Sequence, residues 1–473
     1  MSRRPGARRV LAGLFVLSLP LVNPYLRGDG NGYYAYVRSA VIDGDLDFEN
    51  EFRRADPLFR GIYFDERGDL RPSMRAATGR AINQWAVGPA ILWLPFFLAA
   101  HVVVALANLL SAGVPADGFS VPYRWLCAIG TACYGWLAIV LGHAIAARVT
   151  GARAAILGAL AIWWASSLPV YMYFLPFHVH GLSAFAVALF VWYWLRTRPF
   201  GLATRAWAVW GLMAGLMIDV YYLNGLFMLL AAVELVGGRR HTDPARAPAT
   251  IAAAAAFAAG ALVAIAPHVF VKWIVHGSPL ATGYRDQFFW TTPRLWQVGF
   301  SSEHGLFVWT PVVLLAVIGL IVLARRDARA AGPLLAAFAL FYYAVASYQN
   351  WHGQSSFGNR CFVSFTPAFV LGAAIAVEAA ERALARANVL RPLVPAALAL
   401  LVAWNVGFAF QWGANLVPNR GPVSFAAVAR NQVTVVPRRL ASFAWRYLVD
   451  RRGLTSETEE QDRLEHKGYE LKR

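Results

Sequence analysis

Between Arg27 and Phe52 the stretch RGDGNGYYAYVRSAVIDGDLDFENEF carries Asp29, Asp43, Asp45, Asp47, Glu49 and Glu51 and opens a long polar loop, while most of the remaining chain is apolar. Carboxylates gathered this way serve as proton acceptors or present a polar face to a substrate. Three other polar segments carry complementary groups. KWIVHGSPLATGYRDQFFWTTPRLWQVGFSSEH supplies Lys272, Arg285, Arg294 and His304 among aromatics. YQNWHGQSSFGNR supplies Trp351, His352, Gln354, Asn359 and Arg360, and PFHVHG supplies His178 and His180. Arginine grips a phosphate by paired hydrogen bonds and lysine acts on it as a point charge. Together these residues suit an anion site beside an acid site. There a carboxylate takes a proton from an attacking hydroxyl while cations stabilise the phosphate that leaves.

Each residue also has a plainer use. Asp29 and Arg360 can mark the interfacial ends of spans, and Tyr33 and Tyr34 suit an interfacial aromatic belt. His178 and His180 lie two apart and share a face only in an extended segment, so capping a span end is an alternative for them. Asp45-Leu-Asp47 has the spacing of a metal-binding pair. Such pairs are frequent in acidic loops, so a divalent cation is not favoured and no cofactor is expected. Asp219 lies within an apolar run, where a carboxylate is a functional candidate or a helix cap. Cys127, Cys133 and Cys361 sit inside apolar segments with no disulfide or metal-ligand spacing.

A membrane must position these groups. The 473 residues are 58% hydrophobic and 15% charged, with 18 Trp, 18 Tyr and 30 Phe. Apolar runs long enough to cross roughly 30 Å of hydrocarbon recur from end to end, which predicts an all-α polytopic membrane protein with about eleven transmembrane helices. The net charge of +17 is spread in short basic clusters between apolar runs. That pattern suits loops facing anionic membrane lipids and argues against a nucleic-acid partner.

Arg3, Arg4, Arg8 and Arg9 put the N-terminus in the cytoplasm, and the first apolar run reads as a retained span. Residues 1–412 then form the membrane domain and 413–473 a short external tail. Within the domain, 27–83 is an external loop that includes the acidic stretch. Residues 84–110 are expected to lie at the interface or re-enter, broken by Pro89 and Pro95, because crossing would invert every later basic cluster. The apolar stretch Ala206–Val236 has basic residues on both flanks, so it reads as a hairpin turning near Asp219–Gly225.

The order of these features resembles the GT-C superfamily of integral-membrane glycosyltransferases, the group of protein O-mannosyltransferases and aminoarabinose transferases. In that family a first span ends at a catalytic Asp, followed by a Tyr, a Gly–acid step and juxtamembrane helices. Asp29, Tyr33/Tyr34, Gly44-Asp45 and the segment after Asn83 match that order. Ala147–Ala161 and Trp351–Arg360 are similar to later loops of the family. Departures occur at Gly30, where the family commonly has Glu, and at Gly88-Pro89, where Pro-Pro-Leu is frequent. The resemblance implies inverting transfer of a hexosyl or pentosyl group from a polyprenyl-phosphate donor to a glycan, lipid or protein acceptor. It implies an external active site on a bacterial cytoplasmic (inner) membrane, with Asp29 as general base. The substrate-binding candidates beside it are Tyr33, Tyr34, Asp45, Asp47, His178, His180, Trp351 and His352. Lys272, Arg285, His304 and Arg360 are the candidates for the lipid phosphate. A transporter or lipid flippase is the alternative, but it would gather polar groups near the midplane on broken helices.

Overall fold

The computed structural model describes residues 5–197, 204–239, 247–284, 286–387, 390 and 392–470. Every named element among them is helical, and extended pairing is confined to isolated bridges such as Phe288 with Tyr348. Helix α1 (Pro5–Ser18) runs into a short turn at Leu19–Leu21. The acidic loop folds as α2 (Asp29–Arg38), α3 (Glu49–Arg53) and α4 (Pro57–Tyr63). Next come α5 (Gly88–Leu109), α6 (Val121–Ala146), α7 (Ala152–Ala165) and α8 (His180–Thr197). They are followed by α9 (Thr204–Val220), α10 (Leu229–Arg239) and α11 (Ala247–His276). Short α12 (Leu295–Phe300) and α13 (Leu306–Trp309) lead to α14 (Pro311–Ala324) and α15 (Ala328–Ser347). The chain continues with α16 (Thr366–Arg386), α17 (Leu393–Gly413), α18 (Phe425–Thr434), α19 (Val436–Val449) and α20 (Arg451–Glu470).

This is an integral membrane protein. Among the described residues six helices are long and apolar enough to span: α5, α6, Thr250–His276, α15, Arg360–Arg386 and α17. Three shorter apolar helices join them: α7, Tyr222–Val236 and α14. Several runs that read as single spans are interrupted, for local reasons. Ser166, Ser167 and Pro169 end α7 before a π-helical turn at Val170–Phe174, and Pro311 starts α14 afresh after Thr310. The run 206–236 breaks at Tyr221, which is extended at φ −153°, so the expected hairpin turn is present.

One local expectation needs correction. Pro89 and Pro95 do not break α5: Pro89 takes a first-turn position, where its missing N–H costs nothing, and Pro95 is carried inside a continuous helix. The side-chain contacts of α5 on α6 lie between Tyr123 and Tyr134. Trp93 Nε1 donates to Thr131 Oγ1 at 2.8 Å, Tyr134 Oη to Leu92 O at 3.1 Å, and Phe97 and His101 meet Tyr123.

The interior is organised around α16, which packs on α6, α7, α8 and α14. Lipid tails are as apolar as a leucine, so association inside a bilayer depends on close backbone approach and dispersion. Gly319 of α14 and Gly372 of α16 supply it. A Cβ at Gly319 would fall 1.8 Å from Gly372 O.

Candidate active site

Asp29 opens α2, where a carboxylate is favoured by the partial positive charge of the helix N-terminus. Its mount begins one residue earlier. Gly28 has φ +54° and ψ −134°, a backbone open to glycine and strained for any side chain. The turn is held from α4. Asp56 Oδ2 accepts from Gly28 N and from Asn31 Nδ2, both at 2.7 Å, while Oδ1 accepts from Phe59 N at 3.2 Å. Asp56 is thus the N-cap of α4, with Pro57 behind it, and at the same time the clamp on the turn that aims Asp29.

Residues distant in the chain complete the site. Asp29 Oδ2 lies 2.9 Å from Arg360 Nη2, and Arg360 Nη1 donates to His178 Nδ1 at 3.1 Å. The Trp85 side chain lies near enough to Asp29 to favour its ionised form. Its ring lies so flat against α2 that a Cβ at Gly32 would fall 1.9 Å from Trp85 Cε3. The Asp29 side chain is 37% exposed and Arg360 19%, so the pair sits in a recess that retains an opening.

Enclosure works against ionisation of Asp29, but the Arg360 guanidinium, its hydrogen bond and the nearby Trp85 side chain outweigh it. They hold the carboxyl below its ordinary 3.8. Burial, with Arg360 and Arg27 nearby, pushes His178 down to about 4 despite the attraction of Asp29. A neutral His178 that accepts at Nδ1 carries its proton on Nε2, which fixes the tautomer. His304 is fully buried, stacked 4.7 Å from Trp309, with φ +57° and no partner on either nitrogen. Burial, His352 and Arg360 push it down to about 3.

These two histidines set a pH dependence of stability. Their folded values lie below the unfolded 6.5, so the unfolded chain gains protons that the folded chain refuses. Stability is expected to fall as pH drops from 6.5 toward 4, by about 1.4 kcal/mol per pH unit for each histidine. Thermal midpoints in detergent across that range check it. His304→Phe, which keeps the stacking and cannot titrate, should flatten the decline.

The sequence candidates divide into those that meet at Asp29 and those that do not. Arg360 touches Asp29 directly, His178 reaches it through Arg360, and Tyr33 is buried against Trp85. His180 sits one ring further in, against Tyr171 and Tyr221. Trp351 and His352 pack edge to face on the loop leading to Arg360, with His352 Nδ1 3.7 Å from Glu303. Tyr34 turns away and donates to Gly118 O at 2.6 Å among aromatic rings. Asp45 accepts from Ser39 Oγ and Asp47 N, and Asp47 accepts from Glu49 N, so both shape the loop.

The structure gives Lys272 a different task from the phosphate contact expected of it. Its fully buried ammonium donates to Asn83 O at 2.7 Å, Trp85 O at 2.9 Å and Tyr36 Oη at 3.1 Å. Three donors with three acceptors leave none for a phosphate. His304 likewise shows no surface to a ligand. Arg285 lies outside the described residues.

Four residues of the site have no counterpart among the sequence candidates: Asp56, Trp85, Tyr221 and Tyr284. Asp56-Pro57 carried a readable signal, an N-cap acid followed by proline. Trp85, Tyr221 and Tyr284 had none, since each is one aromatic among many. Tyr221 Oη donates to Cys361 Sγ at 3.3 Å beside Arg360, and Tyr284 pairs edge to face with Tyr222. Replacing Asp56 by Ala should cost about 1 kcal/mol through the lost cap. It should also lower turnover about tenfold through the slackened Gly28 turn. Circular-dichroism melting and steady-state rates measure the two effects separately.

No protein-family model and no curated protein sequence matches the chain. Solved structures do. ArnT from Cupriavidus metallidurans bound to undecaprenyl phosphate superposes with a TM-score of 0.51 at 15% identity, over 94% of this chain and 77% of that one. The oligosaccharyltransferase of Archaeoglobus fulgidus, in complex with zinc and sulfate, superposes with a TM-score of 0.50 at 16% identity. That match covers 88% of this chain and 58% of the other, so the present chain spans little more than half of that protein. Across such low identities it is the fold alone that this chain shares with those two proteins.

Proposed function

We propose that this protein transfers a sugar from a polyprenyl-phosphate donor to an acceptor on the external face of the membrane, with inversion and with Asp29 as general base. The observation that carries the reading is the contact of Asp29 with Arg360, itself bonded to His178, at the first helix after the first apolar run. An ionised carboxylate beside a fixed cation suits a displacement in which negative charge moves from base to leaving group. The acceptor oxygen forms a bond to the anomeric carbon as the bond from that carbon to the phosphate oxygen breaks. The hydroxyl proton passes to Asp29, and the electron pair of the broken bond leaves with the lipid phosphate, which Arg360 stabilises. His178 keeps the guanidinium in plane, and Trp85 favours the ionised carboxylate.

Further observations support the orientation. Tyr447 and Arg451 near the C-terminus bond the backbone of Pro20–Val22 at the end of the first apolar run. This tie between the tail and the Asp29 loop supports a reading in which both lie opposite a cytoplasmic N-terminus. The named side-chain contacts of α5 on α6 lie between Tyr123 and Tyr134, which suits a juxtamembrane helix. The acceptor is a glycan, a lipid or a protein.

The test is a stoichiometric one. Purified protein in lipid nanodiscs, given a panel of polyprenyl-phosphate hexoses and pentoses with cell-envelope extract as acceptor, should release free polyprenyl phosphate in step with glycosylated product. Counter-flow of labelled donor in proteoliposomes without any covalent product would replace this reading with transport.

A further inference from the structure

The last three helices return to the opposite end of the chain. Helix α18 is anchored on α17: Gln411 Nε2 donates to Val428 O at 3.2 Å and Gln432 Nε2 to Trp404 O at 2.8 Å. Helix α19 continues along the body, with the Phe443 ring 5.2 Å from Phe410 and the Tyr447 ring 6.0 Å from Phe174. At its end two side chains close on the Leu19–Leu21 turn. Tyr447 Oη donates to Leu21 O at 2.7 Å. Arg451 donates from Nε to Tyr447 O at 2.7 Å, from Nη1 to Val22 O and from Nη2 to Pro20 O.

The Arg451 guanidinium also lies 5.0 Å from the Trp125 ring centroid and 4.4 Å from that of Tyr447. The carbonyls at the end of a short helical turn have no partners within the turn. A planar fork held between two aromatic faces supplies them rigidly, where a flexible ammonium would not. Beyond Arg451, α20 packs along α4, the helix whose N-cap Asp56 holds Gly28 and Asn31.

We infer that α19 and α20 form a strap that positions the proposed base, with Arg451 and Tyr447 as its positioning residues. The strap holds the chain on both sides of Asp29. Arg451 and Tyr447 fix Pro20–Val22 upstream, and α20 fixes α4, whose Asp56 clamps the turn. Neither residue touches the reacting atoms. Their effect is to keep the carboxylate in register with Arg360. The catalytic consequence rests on the transferase reading, while the mechanical one stands without it.

Hydrogen exchange and kinetics on the full-length protein in nanodiscs separate the two. In Arg451→Ala the amides of residues 20–31 and 57–63 should exchange about tenfold faster than in wild type, with α14–α16 unchanged. Arg451→Lys should recover part of the protection. Tyr447→Phe, which deletes one hydrogen bond, should show a smaller change confined to residues 20–22. Turnover of Arg451→Ala should fall about tenfold with donor KM nearly constant. Its acid limb should move to higher pH as Asp29 loses contact with Arg360, a shift that simple loss of folded protein does not produce. Unchanged exchange at 20–31 and 57–63, or faster exchange throughout the chain, overturns the strap. Faster local exchange with wild-type turnover and an unmoved acid limb overturns its catalytic role. Wild-type protein inactive with every polyprenyl-phosphate sugar, together with the local exchange change in Arg451→Ala, overturns the transferase reading and leaves the mechanical strap standing.

Discussion

Asp29→Asn should abolish sugar transfer while leaving insertion and folding intact. The amide matches the carboxylate in size and its Oδ1 can still accept from Arg360, so the Gly28 turn and its Asp56 clamp have no reason to move. What it cannot do is take a proton. Loss of a positioned general base costs about 10²- to 10⁴-fold in rate. In the proposed reaction Arg360 holds the donor phosphate, so the loss should fall on kcat. The variant also leaves Arg360, 19% exposed, with His178 as its charge-neutral neighbour. A modest fall in thermal midpoint should accompany the loss of activity. Release of polyprenyl phosphate, measured beside a melting curve, separates the effects. Wild-type turnover by Asp29→Asn would remove this residue from the mechanism.

Arg360→Gln should do comparable damage by a different route, and pH distinguishes the two. Three things go at once: the counter-ion of Asp29, the donor to His178 Nδ1 and, in the proposed reaction, the cation facing the leaving phosphate. Loss of a preorganised donor to developing negative charge costs about 10²- to 10³-fold. In wild type the Asp29 carboxyl sits below its ordinary 3.8 because Arg360 outweighs burial. The base is then ionised at every pH above that depressed value, and activity fails only as pH falls through it. With Arg360 gone, burial acts without its counterweight, the carboxyl rises, and the acid limb of the rate profile should move to higher pH. Arg360→Lys keeps the charge but loses the fork that spans Asp29 and His178, so it should restore the acid limb more fully than the rate. An acid limb unmoved in Arg360→Gln would mean that this arginine does not govern the base.

The carboxylates of the acidic loop show where reading from sequence stops. Asp29 is one of six carboxylates in its stretch, and only the order of features resembling the GT-C superfamily singles it out. Asp45 and Asp47 look like equal partners in the same stretch, yet their oxygens accept from Ser39, Asp47 and Glu49 beside them. Asp56, further along, is the one that braces Asp29. A loop carboxylate is defined by the N–H groups it meets, and chain position alone does not say which those are. Lys272 makes the same point for cations. In sequence it is a positive charge at the end of an apolar run. In the fold, α11 turns it inward to three oxygen acceptors around Asn83 and Trp85.

The sequence by itself determined the class of molecule, the helical architecture, the hairpin at Asp219–Gly225 and the polar segments that carry chemistry. These follow from hydropathy and from the conformational limits of proline and glycine, which act over a few residues. Only the tertiary structure decided which charges meet. His178 and Arg360 are 182 positions apart, and Arg451 reaches back 429 positions to Val22. Those contacts are products of helix packing around α16, where small residues such as Gly319 and Gly372 set how closely the backbones approach. Packing of that kind is a property of pairs of surfaces, and no single stretch of sequence contains it.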